Sequence, residues 1–174
     1  MKSAIRLAFG LFSLFQCGEA MALTALPDPQ IISRPAVQYI GIEISHVPGD
    51  EKPAQLWANF SKREHEIKNV SGPAVGISGD FENVTAKYAA ARQVSETSFV
   101  PEGMTVIQTE AGQYADFKIK GPISQLFKAL DYIYGVWIPR NGYKTNGAGI
   151  EVYPENTDVD SPDFELHLLV PLKR

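Results

Sequence analysis

The chain has 174 residues, of which 44% are hydrophobic and 21% charged, and its formal net charge is −4. This composition excludes a disordered or collagen-like chain and suffices for one domain with a sizeable core. Its single cysteine, Cys17, excludes a disulfide framework and cysteine-rich metal sites, and an acidic balance without a basic run argues against a nucleic-acid partner.

The N-terminal segment differs from the rest. MKSAIR is a short basic region, LAFGLFSLF (7–15) is apolar, and QCGEAMA ends in the small-x-small pattern Ala20-Met21-Ala22. An apolar run this short cannot span a bilayer, so residues 1–22 are expected to be a signal peptide cleaved near Ala22. A periplasmic or secreted protein without stable membrane insertion follows. The alternative is a cytoplasmic chain whose first residues are a mis-assigned start or an amphipathic helix. Lipidation of Cys17 is disfavoured, because Gln16 stands where a small residue is required. Cleavage would remove Lys2, Arg6, Glu19 and Cys17, leaving a net charge of −5. Residues 23–35 (LTALPDPQIISRP) carry three prolines and no periodicity, and read as an extended linker into a domain over 36–174.

VQYIGIEI (37–44) alternates, with Ile40, Ile42 and Ile44 on one side of a strand. From Ala54 to about Lys68 the pattern becomes helical, with Leu56, Phe60 and Ile67 on one face and Trp57 beside them. AVGIS (74–78) and AKYAAARQV (86–94) are strand-like, the second with Tyr88, Ala90 and Val94 on one face. MTVIQTEAGQYADFKIKG (104–121) alternates around a break at Ala111-Gly112. PISQLFKALDYIYGVW (122–137) is helical, with Ile123, Leu126, Phe127, Leu130, Tyr134 and Trp137 in register and Pro122 in its first turn. GIEVY (149–153) and FELHLLV (164–170) close the series as strands, with Ile150 and Val152 on one side and Glu151 and Tyr153 on the other.

The order strand–helix–strand–strand thus occurs twice. LWANF answers LFKAL, VGIS answers GIEV, and YAAARQV answers FELHLLV. A duplicated βαββ unit predicts an α+β fold with pseudo-two-fold symmetry, two helices on an antiparallel sheet and a ligand groove between the halves. In this comparison Glu151 is set against Ser78.

Catalytic and metal signals are weak. His46, His65 and His167 are scattered over loop, helix and strand without ligand spacing, and no nucleophile motif or phosphate loop is present. No cofactor or metal is expected. The aromatic residues are more informative: Tyr114, Tyr132, Tyr134, Tyr143 and Tyr153 crowd the second half around Trp137 and Glu151. A carboxylate among aromatic faces suits a lipophilic cation, each ring contributing roughly 0.5–2 kcal/mol of cation–π attraction. An exposed strand residue explains Glu151 equally well on spacing alone.

LWANF (56–60), AVGISGDFE (74–82), AGQYADFKIKGP (111–122), IYGVWIPRNGY (133–143), GIEVYP (149–154) and FELHLLVPL (164–172) together resemble the GyrI-like effector-binding domains, nearest their integron-cassette branch. The resemblance implies a duplicated βαββ fold and a groove whose strand glutamate attracts cationic, lipophilic molecules. It maps Glu151 to the ligand-contacting acid, with Trp137 and Tyr153 beside it and Trp57, Phe60 and Tyr114 as groove walls. In relatives fused to AraC- or MerR-type DNA-binding domains the module senses ligand, but here no helix-turn-helix is visible. The implied function is binding of a small, cationic and aromatic molecule. Two alternatives follow from similar proteins: hydrolysis of strained cyclopropane-bearing compounds, or a protein-interaction and inhibitor role. Val136 and Asn141 depart from the family pattern, so ligand preference is not carried over.

Overall fold

The computed structural model describes residues 26–47, 49–82, 85–145, 149–155 and 158–173, with the side chains of 80–82 set aside. The expected signal peptide and Cys17 lie outside the described residues. Within them, strands β1 (Gln30–Arg34), β2 (Val37–His46), β3 (Val70–Glu82), β4 (Thr85–Val94), β5 (Thr105–Thr109), β6 (Gly112–Lys120), β7 (Lys144–Thr145), β8 (Gly149–Val152) and β9 (Glu165–Lys173) form one sheet. Its order is β1-β6-β9-β8-β3-β4-β2-β5, with β7 added to β9, and every pairing is antiparallel. Helix α1 (Lys52–Arg63) follows β2, and α2 (Gln125–Tyr132) follows β6.

The two units are therefore β2-α1-β3-β4 and β6-α2-β8-β9, meeting at the β3–β8 pair. The duplicated α+β architecture expected from the repeat is what the chain forms. Each unit is preceded by a strand that crosses to the other one. β1 pairs with β6, and β5 pairs with β2. Only Pro35 and Ala36 separate β1 from β2, and only Glu110 and Ala111 separate β5 from β6. Links of two residues span at most about 10 Å, so the sheet must roll until its two outer edges approach.

β1 corrects the reading of residues 23–35 as a linker. Proline density hid a five-residue strand, QIISR, whose hydrogen bonds come from β6, far away in sequence. Ile32, opposite Tyr114, turns inward against the cluster that holds Tyr39 and Tyr114, while Ile31 is exposed.

Rolling buries both faces of the sheet. One face carries Tyr39, Val75, Ile77, Ala89, Ala91, Tyr114, Ile150 and Leu169. The other packs the helices in two clusters. Leu56 and Phe60 of α1 meet Ile40, Tyr88 and Ala90, while Leu126 and Ala129 of α2 meet Phe117, Leu166 and Leu168. The alternation in β8 holds: Ile150 lies on the first face and Glu151 on the helix-bearing one.

α1 begins at Lys52-Pro53, where a missing proline N–H has no intrahelical partner to lose, and ends with Lys62 and Arg63 at its negative pole. The second helix differs from expectation in one respect. After Tyr132 the backbone widens into a π turn over Ile133–Trp137, followed by the short helix α3 (Ile138–Arg140). Ile133 and Trp137 stay buried, while Phe127 is 66% exposed and Tyr134 about half-exposed.

Candidate functional site

A cavity of about 420 Å³ opens between the two helices above the β3–β8 junction. That volume falls in the range of about 300–1,000 Å³ usual for small-molecule sites. Trp57 from α1, Tyr88 from β4, Tyr153 just after β8 and Leu126, Phe127 and Leu130 from α2 supply most of its aromatic and large aliphatic lining. His46, Asp50 and Ser78 add polar groups, and Glu151 is its buried acid, 6% exposed.

The position of Glu151 follows from local register. β8 pairs Glu151 with Gly76 of β3, so both point to the helix side. A Cβ on residue 76 would lie 2.3 Å from the Tyr88 hydroxyl and 2.5 Å from Glu151 Oε2. Gly76 therefore leaves the space in which the carboxylate and its tyrosine meet. Ser78, which the half-chain comparison set against Glu151, lies opposite Gly149 and lines the same cavity.

The carboxylate is held asymmetrically. The Tyr88 hydroxyl donates to Oε2 at 2.7 Å, and the Tyr153 hydroxyl donates to the same oxygen at 2.8 Å. Trp57 Nε1 donates to the Tyr88 hydroxyl at 3.0 Å, which orients that O–H towards Glu151. Trp57 also meets Tyr153 edge to face at 4.7 Å. Oε1 accepts no hydrogen bond from the described residues, yet it is not among their sealed, unpartnered polar atoms. It is the carboxylate oxygen open to the cavity.

Burial raises the Glu151 pKa; the donors from Tyr88 and Tyr153 and the nearby His46 oppose the rise without cancelling it. Removal from water disfavours the charged form, and neutral donors restore only part of the lost hydration. Among the described residues, no lysine or arginine is named as acting on this carboxylate; His46 is the basic side chain nearest in effect. Tyr88 and Tyr153 are pushed up in turn, by burial first and then by the charge of Glu151. Tyr134 is raised by the same two causes, and its hydroxyl reaches to 3.1 Å from the point where a Gly149 Cβ would stand.

Of the residues singled out from sequence, Glu151, Tyr153 and Trp57 come together here. Trp137 does not: it stacks on Tyr143 at 5.8 Å and meets Phe117 edge to face at 5.1 Å inside the second-unit core. Phe60 supports Trp57 from behind, edge to face at 5.9 Å, and lines a neighbouring groove instead. Tyr114 lies on the opposite face of the sheet, donating to the Glu110 carbonyl at 2.7 Å beneath the Arg34 guanidinium. Its even number already carried that signal, because Phe117 and Ile119 face the helices and parity alternates along a strand. Tyr88, Gly76 and His46 were missed, since their approach to Glu151 depends on pairings between distant strands.

The neighbouring groove is larger, about 780 Å³, and lies beyond the partition formed by Trp57 and Tyr153. Its charges satisfy one another: Arg92 sits 3.6 Å from Glu64 and 3.1 Å from Glu155. The smaller cavity is the better candidate because its buried acid, Glu151, has no such ion pair among the described residues.

Two rolled βαββ units closed over an aromatic cavity with a buried acid define a small-molecule binding domain. Residues 27–173 match the GyrI-like small molecule binding domain, and the chain belongs to this family. It is 33% identical over 148 residues to the transcriptional regulator BrlR of Pseudomonas aeruginosa, a match covering 82% of this chain and 54% of that protein. The chain thus spans about half the length of that curated relative. Its fold is similar to that of SAV2435 bound to tetraphenylphosphonium, with a TM-score of 0.65, 13% identity, and coverage of 84% of this chain and 94% of the other. An integron cassette protein of Vibrio cholerae is also similar, with a TM-score of 0.62, 14% identity, and coverage of 85% and 97%.

Proposed function

We propose that this domain binds lipophilic organic cations in the Glu151 cavity. The observation that carries the reading is Glu151 itself: a buried carboxylate with Oε1 open to an aromatic and aliphatic cavity and no lysine or arginine paired to it among the described residues. A soluble fold keeps such a charge against its desolvation cost when the charge has a partner to receive. Trp57, Tyr88 and Tyr153 add ring faces and edges beside it, and Leu126, Phe127 and Leu130 offer apolar contact for the rest of the molecule. Tetraphenylphosphonium on a protein of similar fold is a ligand of this chemistry and supports the reading.

The test is a titration of the full chain with aromatic cations and neutral molecules of matched shape, followed by intrinsic fluorescence and thermal shift. Saturable binding of the cations with weaker binding of the neutral partners is expected. Equal affinity for both sets would overturn the reading. We further propose that the domain works outside the cytoplasm, on the strength of the signal-like segment 1–22. N-terminal sequencing of exported protein is expected to begin after Ala22, and an intact Met1 in the cytosolic fraction would refute this.

A further inference from the structure

The pattern of hydrogen bonds on Glu151 specifies more than a positive charge. Both tyrosine hydroxyls donate to Oε2, and Tyr88 is locked in that direction by the Trp57 indole N–H. Oε1 receives no donor from the described residues and faces the cavity. A quaternary ammonium or phosphonium ion would neutralise the charge while leaving that oxygen without a hydrogen bond in a mostly apolar enclosure. A carboxylate oxygen left in that state bears the full penalty of its lost hydration.

Resting on the cation-binding reading, we propose that the preferred ligands are protonated tertiary amines bearing an aromatic or bulky apolar body, recognised by a charge-assisted hydrogen bond from their single N–H to Glu151 Oε1. One N–H matches the oxygen that Glu151 leaves open. Along α2 the wall is Leu126, Phe127 and Leu130, which offer no side-chain acceptor to further N–H groups, so a primary ammonium would have only Asp50 and Ser78 beyond Glu151 to receive them. The carbon substituents of a tertiary amine meet those side chains, and its positive charge lies near the rings of Trp57 and Tyr153. The groups around the carboxylate fit this assignment. Tyr88 and Tyr153 are committed as donors to the other oxygen, Tyr134 reaches towards Gly149, and Asp50 makes backbone bonds to Val47 and Lys52. His46 is the internal competitor, since its ring lines the same cavity and its charged form would oppose a ligand cation. Binding is therefore compared at a single pH at which the amine is protonated, so that His46 acts alike on the two cations.

The experiment compares three molecules of nearly one shape on the full chain: N,N-dimethyl-1-naphthylmethylamine in its protonated form, its N-methylated quaternary salt, and the neutral 1-isobutylnaphthalene. The expected order is tertiary over quaternary over neutral, with the first step about tenfold or more, the range given by a hydrogen bond to a charged group. Equal affinity of the tertiary and quaternary cations, both above the neutral compound, would overturn the hydrogen-bond assignment and leave the cation reading standing. Binding of neither cation above the neutral compound would overturn both. In Glu151→Gln the tertiary-over-quaternary margin should shrink towards unity. An undiminished margin in that variant would place the N–H contact on another residue and refute the proposal.

Discussion

Replacing Glu151 with glutamine should stabilise the domain while weakening its affinity for cations. The folded carboxyl titrates above its ordinary value of 4.5 because it is buried, whereas the unfolded one titrates normally. Between those two pKa values the folded chain holds a proton that the unfolded chain lacks, so stability falls as pH rises through the window. The stabilising contribution of the neutral carboxyl is complete below about pH 4.5 and lost once pH passes the raised folded value. Above that window the native state carries a carboxylate whose Oε2 is well bonded and whose Oε1 accepts no hydrogen bond from the described residues. Leaving a buried polar group short of partners costs about 1–3 kcal/mol, and more when it is charged. Glutamine has the same shape, keeps an acceptor for the tyrosine hydroxyls and carries no charge. For a chain of this size each kcal/mol moves Tm by about 2–4 °C, so the variant is expected to melt about 2–12 °C higher once pH exceeds the raised pKa of Glu151. The gap should close as pH falls towards 4.5. Thermal unfolding of both proteins between pH 4 and pH 9 measures it. A variant that melts below the parent across the whole range would refute the claim that this carboxylate sits under a desolvation penalty.

Three further outcomes are expected. Gly76→Ala puts a methyl 2.5 Å from Glu151 Oε2 and 2.3 Å from the Tyr88 hydroxyl; overpacking of this kind costs about 1–3 kcal/mol, so Tm should fall and cation binding weaken, as calorimetry would show. Trp57→Phe should abolish the ligand-induced fluorescence change, because Trp57 lines the cavity; Trp137→Phe should preserve it and lower Tm instead, because Trp137 packs on Phe117 and Tyr143. Cation binding favours ionised Glu151, so affinity should fall as pH drops below the raised pKa of that group, with proton release visible as buffer-dependent binding enthalpies.

Much of this was legible in the sequence because it is local. The alternation of GIEVY correctly separated Ile150 and Val152 from Glu151 and Tyr153, and helical spacing found α1 and α2. The strand–helix–strand–strand repeat gave the two units. What stayed hidden is non-local. β1 is a strand only because β6 is beside it, and Tyr88 and Gly76 reach Glu151 only through the β4–β3–β8 register. The misplaced aromatics show a different limit. Trp137 lies close to Glu151 in sequence, yet the π turn and the core around Phe117 turn it away from the cavity. Proximity in the chain and aromatic character do not fix which face a ring occupies.

The most direct test of the central claim is a crystal structure of the domain with a tightly bound aromatic cation. The positive centre is expected beside Glu151 Oε1 and within about 6 Å of the Trp57 or Tyr153 ring. A cation seated instead in the Arg92 groove or on the Tyr114 face of the sheet, with the Glu151 cavity unchanged, would contradict the account.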